Sequence, residues 1–184
     1  MSALIPETTM QRLIKTPDGD FAAWFSQSGL CRLDFPSVVR SESDGPAFAS
    51  GTSPEFEAWL QLTRTALFDA LSGRNPRQLP PLDLSAGTEF QRRVWLALLE
   101  IPAGQTRSYQ EIADDLHSPG AARAVGGGCG ANPIPILVPC HRVVAADRRL
   151  GGFSGGLEWK IRLLKREGTW PLRRLKTEPE LALA

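Results

Sequence analysis

The order of patterns along these 184 residues predicts an α/β amino-terminal domain, a small antiparallel sheet plus a helix, followed by a mainly α carboxyl-terminal domain with a helix-turn-helix. Three observations carry that prediction. Apolar runs separated by tight-turn residues fill the first part of the chain, as in a strand meander. Apolar residues then recur at helical spacing from Ser53 onward. Between the two patterns, Gly73 to Gly87 holds three prolines and reads as a linker. The expected division is 1–82 for the first domain with a linker to about 87, 88–170 for the second, and 171–184 as a flexible tail.

The meander runs from Leu13 to Phe35. Pro17-Asp18-Gly19-Asp20 and Gln27-Ser28-Gly29 supply turns on either side of the Phe21–Phe25 apolar run. Ser41 to Ser53, rich in Ser, Gly and acidic residues, is expected to be a loop. Ser53-Pro54 starts a helix, with a capping hydroxyl and proline in the first turn, and Phe56, Trp59, Leu60, Leu67 and Leu71 give it an apolar face.

The second domain opens at Thr88-Glu89-Phe90-Gln91, a capping-box pattern. Phe90, Val94, Ala97, Leu98 and Ile101 follow at helical spacing until Pro102-Ala103-Gly104 stops the helix. Ser108 caps a short helix over Tyr109–Leu116, and a further one spans Ala121–Cys129. Two short helices around a tight turn make a helix-turn-helix candidate, although most helical hairpins bind nothing. In the second of them Ala121, Ala122, Ala124, Gly126, Gly127 and Gly128 surround one large polar side chain, Arg123. Glycine weakens a helix, so this composition needs another reason. Close packing against protein is one. Entry into a space as narrow as the DNA minor groove, with Arg123 as a wedge, is the other.

Gly151 to Gly156, carrying Phe153 and Ser154, reads as a flexible lid over a pocket. Leu157 to Arg166 is an amphipathic helix with Leu157, Ile161 and Leu164 on one side, and Glu167-Gly168 ends it. A carboxylate is unfavourable against the dipole at that end, so Glu167 calls for a partner such as His141.

Pro139-Cys140-His141-Arg142 places a potential nucleophile next to a potential base. Histidine assists thiolate formation, and the thiolate is the attacking species. The bland alternative is a buried cysteine acting as a small hydrophobe. Bulk properties exclude other classes. A net charge of +1 gives no overall field toward nucleic acid. Three cysteines at irregular spacing and two histidines offer neither a disulfide framework nor a zinc site. Reduced thiols, no apolar signal core in Met1–Lys15 and no spanning run point to a cytoplasmic protein, nuclear in a eukaryote, with no membrane partner.

Taken together, these motifs resemble the O6-alkylguanine-DNA alkyltransferase family over Phe90 to Gly168. The resemblance rests on Phe90-Gln91 with Val94-Trp95, Ile101-Pro102 with Gly104, Ser108-Tyr109, Ala122 to Gly126, Asn132-Pro133, Pro139 to Val143, Ser154-Gly155-Gly156 and Glu167-Gly168, in the family's order. It implies a single-use repair methyltransferase that works as a monomer on double-stranded DNA carrying O6-alkylguanine, with no cofactor and no metal. Action on O4-alkylthymine and cooperativity along DNA stay open. By the same resemblance Cys140 accepts the alkyl group, His141 is the base through a bridging water, and Glu167 orients the imidazole. Arg123 is the finger replacing the extruded nucleotide, on a helix whose Ala122, Ala124 and Gly126 approach the DNA. Tyr109 aids nucleotide rotation and donates to the guanine ring. Asn132 is the hinge before the active-site segment, and Pro135, Val143, Phe153 and Ser154 form the substrate pocket.

Two positions depart from the family pattern. Phe153 stands where tyrosine is common, and Cys129 where a larger apolar residue is frequent. The amino-terminal domain lacks the zinc ligands of some relatives and any cysteine-rich sensor. The competing readings are a non-catalytic lesion-binding protein, a thiol hydrolase built on Cys140 and His141, and a plain helix-turn-helix regulator.

Overall fold

The structure is a computed structural model that describes residues 9–36, 53–146 and 148–171. The expected loop from Ser41 up to Ser53 and nearly all of the expected tail lie outside the described residues.

Strands β1 (Met10–Thr16), β2 (Gly19–Ser26) and β3 (Gly29–Asp34) form one antiparallel sheet in that order. Ile14 pairs with Phe21, and the ladder shifts register between Trp24 and Phe25. β2 is buried on both faces, so its Phe21-Ala22-Ala23-Trp24-Phe25 run is continuous rather than alternating. One wall of the core is aromatic. Phe25 meets Phe56 edge-on at 5.1 Å, and Phe21 meets Trp159 at 5.6 Å.

Helix α1 (Pro54–Leu71) begins where expected, with the Ser53 hydroxyl accepting from the Phe56 amide at 3.2 Å. Its buried face includes Thr63, Ala66 and Ala70 beside Phe56, Leu67 and Leu71, while Trp59 and Leu60 are only partly covered. The proline-rich stretch that follows is not a free tether. The Leu30 amide donates to the Pro81 carbonyl and the Asp83 amide to the Leu30 carbonyl, both at 2.8 Å, so this stretch docks on β3. Gly29 permits the approach: its φ is +138°, and a Cβ there would lie 2.2 Å from the Pro81 carbonyl oxygen.

Helix α2 (Glu89–Leu99) has the full capping box between Thr88 and Gln91. It buries Val94, Trp95 and Leu98. Helix α3 (Tyr109–Asp115) has a second capping box between Ser108 and Glu111. Helix α4 (Ala122–Gly130) follows a turn in which His117 and Gly120 take positive φ. Ile112 and Ala113 from α3, and Val125, Gly128 and Cys129 from α4, enter the core. A short parallel pairing of β4 (Arg107–Ser108) with β5 (Val143–Val144) joins the start of α3 to the segment after Cys140. Local sequence carries no trace of that long-range pairing.

Helix α5 (Leu157–Arg166) has the expected bounds but a different buried stripe. Lys160, Leu163 and Leu164 point inward, whereas Leu157 is 48% exposed. Arg166, near its carboxyl end, grips the first hairpin through Asp18 at 2.7 and 2.8 Å.

Candidate active site

The segment from Asn132 to Val144 is buried at nearly every position, and its first side chain ties its backbone together. The Asn132 side-chain amide donates to the Val138 carbonyl at 2.8 Å and to the Cys140 sulfur at 3.1 Å. Its oxygen accepts from the Ile134 amide at 3.0 Å. All three bonds stay inside the segment, and they close it over Ile136, whose φ of +76° is strained for a β-branched residue. Asn132 therefore shapes the loop and aims a donor at the nucleophile at once.

Cys140 and His141 do not lie on an extended strand. Cys140–Arg142 is a single 3-10 turn capped by Pro139, with the Arg142 amide donating to the Pro139 carbonyl at 3.0 Å. About three residues per turn still send neighbouring side chains apart. The Cys140 thiol faces a cavity of about 230 Å³, while the imidazole turns toward the end of α5.

There the expected partner is present. His141 Nε2 lies 2.9 Å from a Glu167 oxygen, with each side chain 1% exposed. Glu167 is the carboxyl cap of α5, and Gly168 follows at φ +75°. Arg142, which the sequence reading did not assign, completes the group. Its guanidinium donates to Glu167 at 2.9 and 3.1 Å and also to the Ile101 carbonyl. A carboxylate beside a helix carboxyl end thus has two cationic or donor partners to offset the dipole.

Burial lowers the His141 pKa from 6.5, against the raising effect of Glu167, so the ring is neutral at neutral pH. Burial alone would raise the Glu167 carboxyl, but the hydrogen bond from His141 and then the hydrogen bonds and charge of Arg142 leave it below the usual 4.5. Glu167 is therefore an anion, and Nε2 must carry the imidazole proton to donate to it. The lone pair falls on Nδ1, a buried atom with no hydrogen-bond partner among the described residues. Burial pushes the Cys140 thiol up to about 11, partly offset by the Asn132 bond and the Lys160 charge. The resting group is a thiol that has to lose its proton as it reacts.

The cavity is lined by Tyr109, Gly126, Cys129, Gly130, Cys140, Gly152, Phe153 and Ser154. Tyr109, Phe153 and Ser154 are thus brought together with Cys140 as expected, whereas Gly126, expected on the DNA-approaching part of α4, lines the same cavity. Asn132, Pro135 and Val143 are buried behind this lining rather than in it. Arg123, Ala122 and Ala124 lie on the outer part of α4, with Arg123 and Ala124 exposed. The Gly151–Gly156 loop is packed in place. A Cβ on Gly151 would meet the Tyr109 hydroxyl at 2.5 Å, and one on Gly155 would meet the Phe35 ring at 2.4 Å.

Lys160 also escaped the sequence reading. It is fully buried and donates to the Val143 carbonyl at 2.6 Å, the Gly152 carbonyl at 3.3 Å and the Leu150 carbonyl. Burial lowers its pKa to about 8. It ties the strand after the nucleophile to the loop over the cavity. A sequence signal existed: Lys160 shares a helical face with Leu163 and Leu164.

The glycines of α4 divide between the two explanations offered for them. A Cβ on Gly128 would press on Val94 at 3.2 Å, and the Trp95 indole donates to the Gly128 carbonyl at 2.8 Å, so that glycine serves protein packing. A Cβ on Gly127 or Gly130 would meet nothing within 4 Å among the described residues.

Residues 89–169 match the 6-O-methylguanine DNA methyltransferase DNA-binding domain. The chain superposes on the crystal structure of the Mycobacterium tuberculosis O6-methylguanine methyltransferase with a TM-score of 0.68 and 37% identity, covering 93% of this chain and 97% of that one. The chain belongs to the O6-methylguanine-DNA methyltransferase family. Within that family it also resembles the M. tuberculosis OGT solved in complex with DNA, at TM-score 0.66 and 39% identity over 86% of this chain and 93% of that one. The methylated-DNA–protein-cysteine methyltransferase of M. tuberculosis is 60% identical over 86 residues, 47% of this chain and 52% of the relative. In that sequence match the chain spans about half the length of the curated relative. The Escherichia coli bifunctional transcriptional activator/DNA repair enzyme Ada is 38% identical over 77% of this chain but only 40% of its own length.

Proposed function

We propose that this protein repairs duplex DNA by moving an alkyl group from O6 of guanine onto Cys140, once and irreversibly. The observation that carries the reading is the arrangement at Cys140. Its sulfur opens on a cavity and accepts a hydrogen bond from Asn132, beside a neutral histidine locked to a buried carboxylate.

The duplex hides the O6 substituent within the base stack, so an in-line attack requires the nucleotide to leave the helix. Helices α3 and α4 act as the helix-turn-helix that holds the DNA. The open glycine face of α4, with Ala122 and Ala124, lets the backbone come close to the groove, and Arg123 fills the gap left by the base. The extruded guanine enters the cavity between Tyr109 and Phe153. Phe153 offers a ring face but no hydroxyl, and Ser154 at the rim is a polar reader.

In the transfer, Sγ bonds to the alkyl carbon while the carbon–O6 bond breaks and its electron pair stays on the base. The thiol proton passes through a bridging water to Nδ1 of His141, and Glu167 stabilises the imidazolium that forms. That proton then returns to the departing guanine, restoring the ordinary base. Tyr109 donates a hydrogen bond to the ring as negative charge develops on it. The product is a neutral thioether on Cys140. No described residue offers a way to remove the alkyl group, so each chain acts once. Every group in this scheme is a side chain or water, and no cofactor is required.

Incubating the chain with duplex DNA containing O6-methylguanine, then measuring intact mass, tests the reading. The expected result is a gain of one methyl per chain, mapped to the Cys140 peptide. An unchanged mass with tight lesion binding means a non-catalytic binder. Repeated turnover on small esters means a thiol hydrolase. Either outcome sinks the proposal.

A further inference from the structure

Residues Gly126, Cys129 and Gly130 stand at i, i+3 and i+4 on α4, so one helical face forms a wall of the Cys140 cavity. Two of those three positions have no side chain. A Cβ on Gly126 would sit at ordinary contact distance, 3.8 Å from Tyr109, and one on Gly130 would meet nothing within 4 Å. Cys129 is therefore the one side chain that α4 contributes to the wall, and a thiol is a small one. It shares the cavity with the Cys140 sulfur. Phe153 lines the same cavity and is held from two sides. Phe153 is wedged edge-on between Phe35 at 5.8 Å and His141 at 6.4 Å, and the Lys160 bonds fix the loop that carries it.

We infer that Cys129 sets the room available to the substituent beside Cys140, and that this chain transfers bulky O6 groups such as benzyl with little loss relative to methyl. The inference rests on the alkyl-transfer reading above and specifies its substrate range. Cys129 acts by its size and not as a second acceptor. The Asn132 donor is directed at the other sulfur, and burial holds the Cys129 thiol protonated, pushing it up to about 12. The longer side chain of Met or Leu at this position has to occupy the space that an aromatic substituent needs, and overfilling a packed site is unfavourable.

The test compares duplexes carrying O6-methylguanine and O6-benzylguanine, with the adduct rate followed by intact mass for the full chain and for Cys129→Met, Cys129→Leu and Cys129→Ala. The parent chain is expected to take both groups at rates within about tenfold of each other. The two larger side chains should lower the benzyl-to-methyl rate ratio by about tenfold or more, the discrimination expected from one or two methylenes in a pocket. The Ala variant should keep or raise the benzyl-to-methyl ratio, which leaves the idea testable if a larger residue prevents folding. A ratio unmoved by Met or Leu, a ratio lowered by Ala, or an adduct mapped to Cys129 would each overturn the inference. Absence of any adduct on the parent chain would instead overturn the reading beneath it.

Discussion

The two ends of this molecule bury opposite kinds of side chain. Around the three-stranded sheet and α1 the buried set is aromatic and aliphatic, with Phe21, Phe25, Phe35 and Phe56 in mutual or shared contact, and its buried polar members are the threonines Thr9 and Thr63. From Cys129 onward the buried set includes Asn132, His141, Arg142 and Lys160, alongside the thiols of Cys129 and Cys140. The first region stabilises by area removed from water, a term insensitive to the arrangement of individual atoms. The second has to satisfy each donor and charge one by one, so it is dominated by specific bonds. The lesson is a division of labour: the sheet region provides stability, and the segment around Cys140 uses part of it to keep reactive groups dry and aligned.

That contrast is open to direct attack, starting with its most severe consequence. Cys140→Ala should abolish alkyl transfer while leaving lesion binding and the melting temperature nearly intact; residual adduct formation would mean another acceptor. On the other side, Phe25→Ala should cost about 3–5 kcal/mol of stability by leaving a cavity in the sheet region. Denaturant titration measures that loss, and a variant of unchanged stability would refute the assignment of the main core.

Weaker effects sharpen the comparison. His141→Gln is expected to slow transfer about a hundredfold near neutral pH, the usual worth of a general base, without abolishing it. Single-turnover kinetics decide the matter, and an unaltered rate removes histidine from its role. Arg123→Ala should reduce repair of duplex DNA by about tenfold, as part of the unstacking cost is left uncompensated, while sparing reaction with a free O6-benzylguanine base. Equal losses on both substrates count against the wedge.

The smallest effect concerns acid. The folded chain holds His141 below its ordinary 6.5 by burial, so the unfolded state takes up that proton first as pH falls. Stability should begin to drop below about pH 6.5 and drop further below 4.5, where unfolded Glu167 is protonated before the folded one. His141→Gln should erase the first phase and leave the second, as seen in melting temperature against pH. Persistence of the first phase would assign it elsewhere.

Much of this was legible before any coordinates. Helix starts at Ser53, Thr88 and Ser108 were announced by hydroxyls placed before apolar periodicity, because capping is a local hydrogen bond. The His141–Glu167 contact was legible as an unfavourably placed carboxylate that needed a partner. Helical spacing placed Lys160 on the face of Leu163 and Leu164, but the partners of Lys160 and Arg142 were not legible, since they are backbone carbonyls and a carboxylate 25 residues away. The inward stripe of α5 was misjudged for the same reason: counting apolar letters favoured Leu157 over Lys160.

The order of residues by itself therefore determined where the elements begin, which family the second half belongs to, and which sulfur and imidazole are candidates. These follow from short-range sterics, hydrogen bonding and motif order. The tertiary structure alone decided that Asn132 aims at Cys140, that Lys160 braces the loop over the cavity, and that Cys129 stands in its wall. Those are facts of three-dimensional closure, in which segments distant along the chain exclude water together.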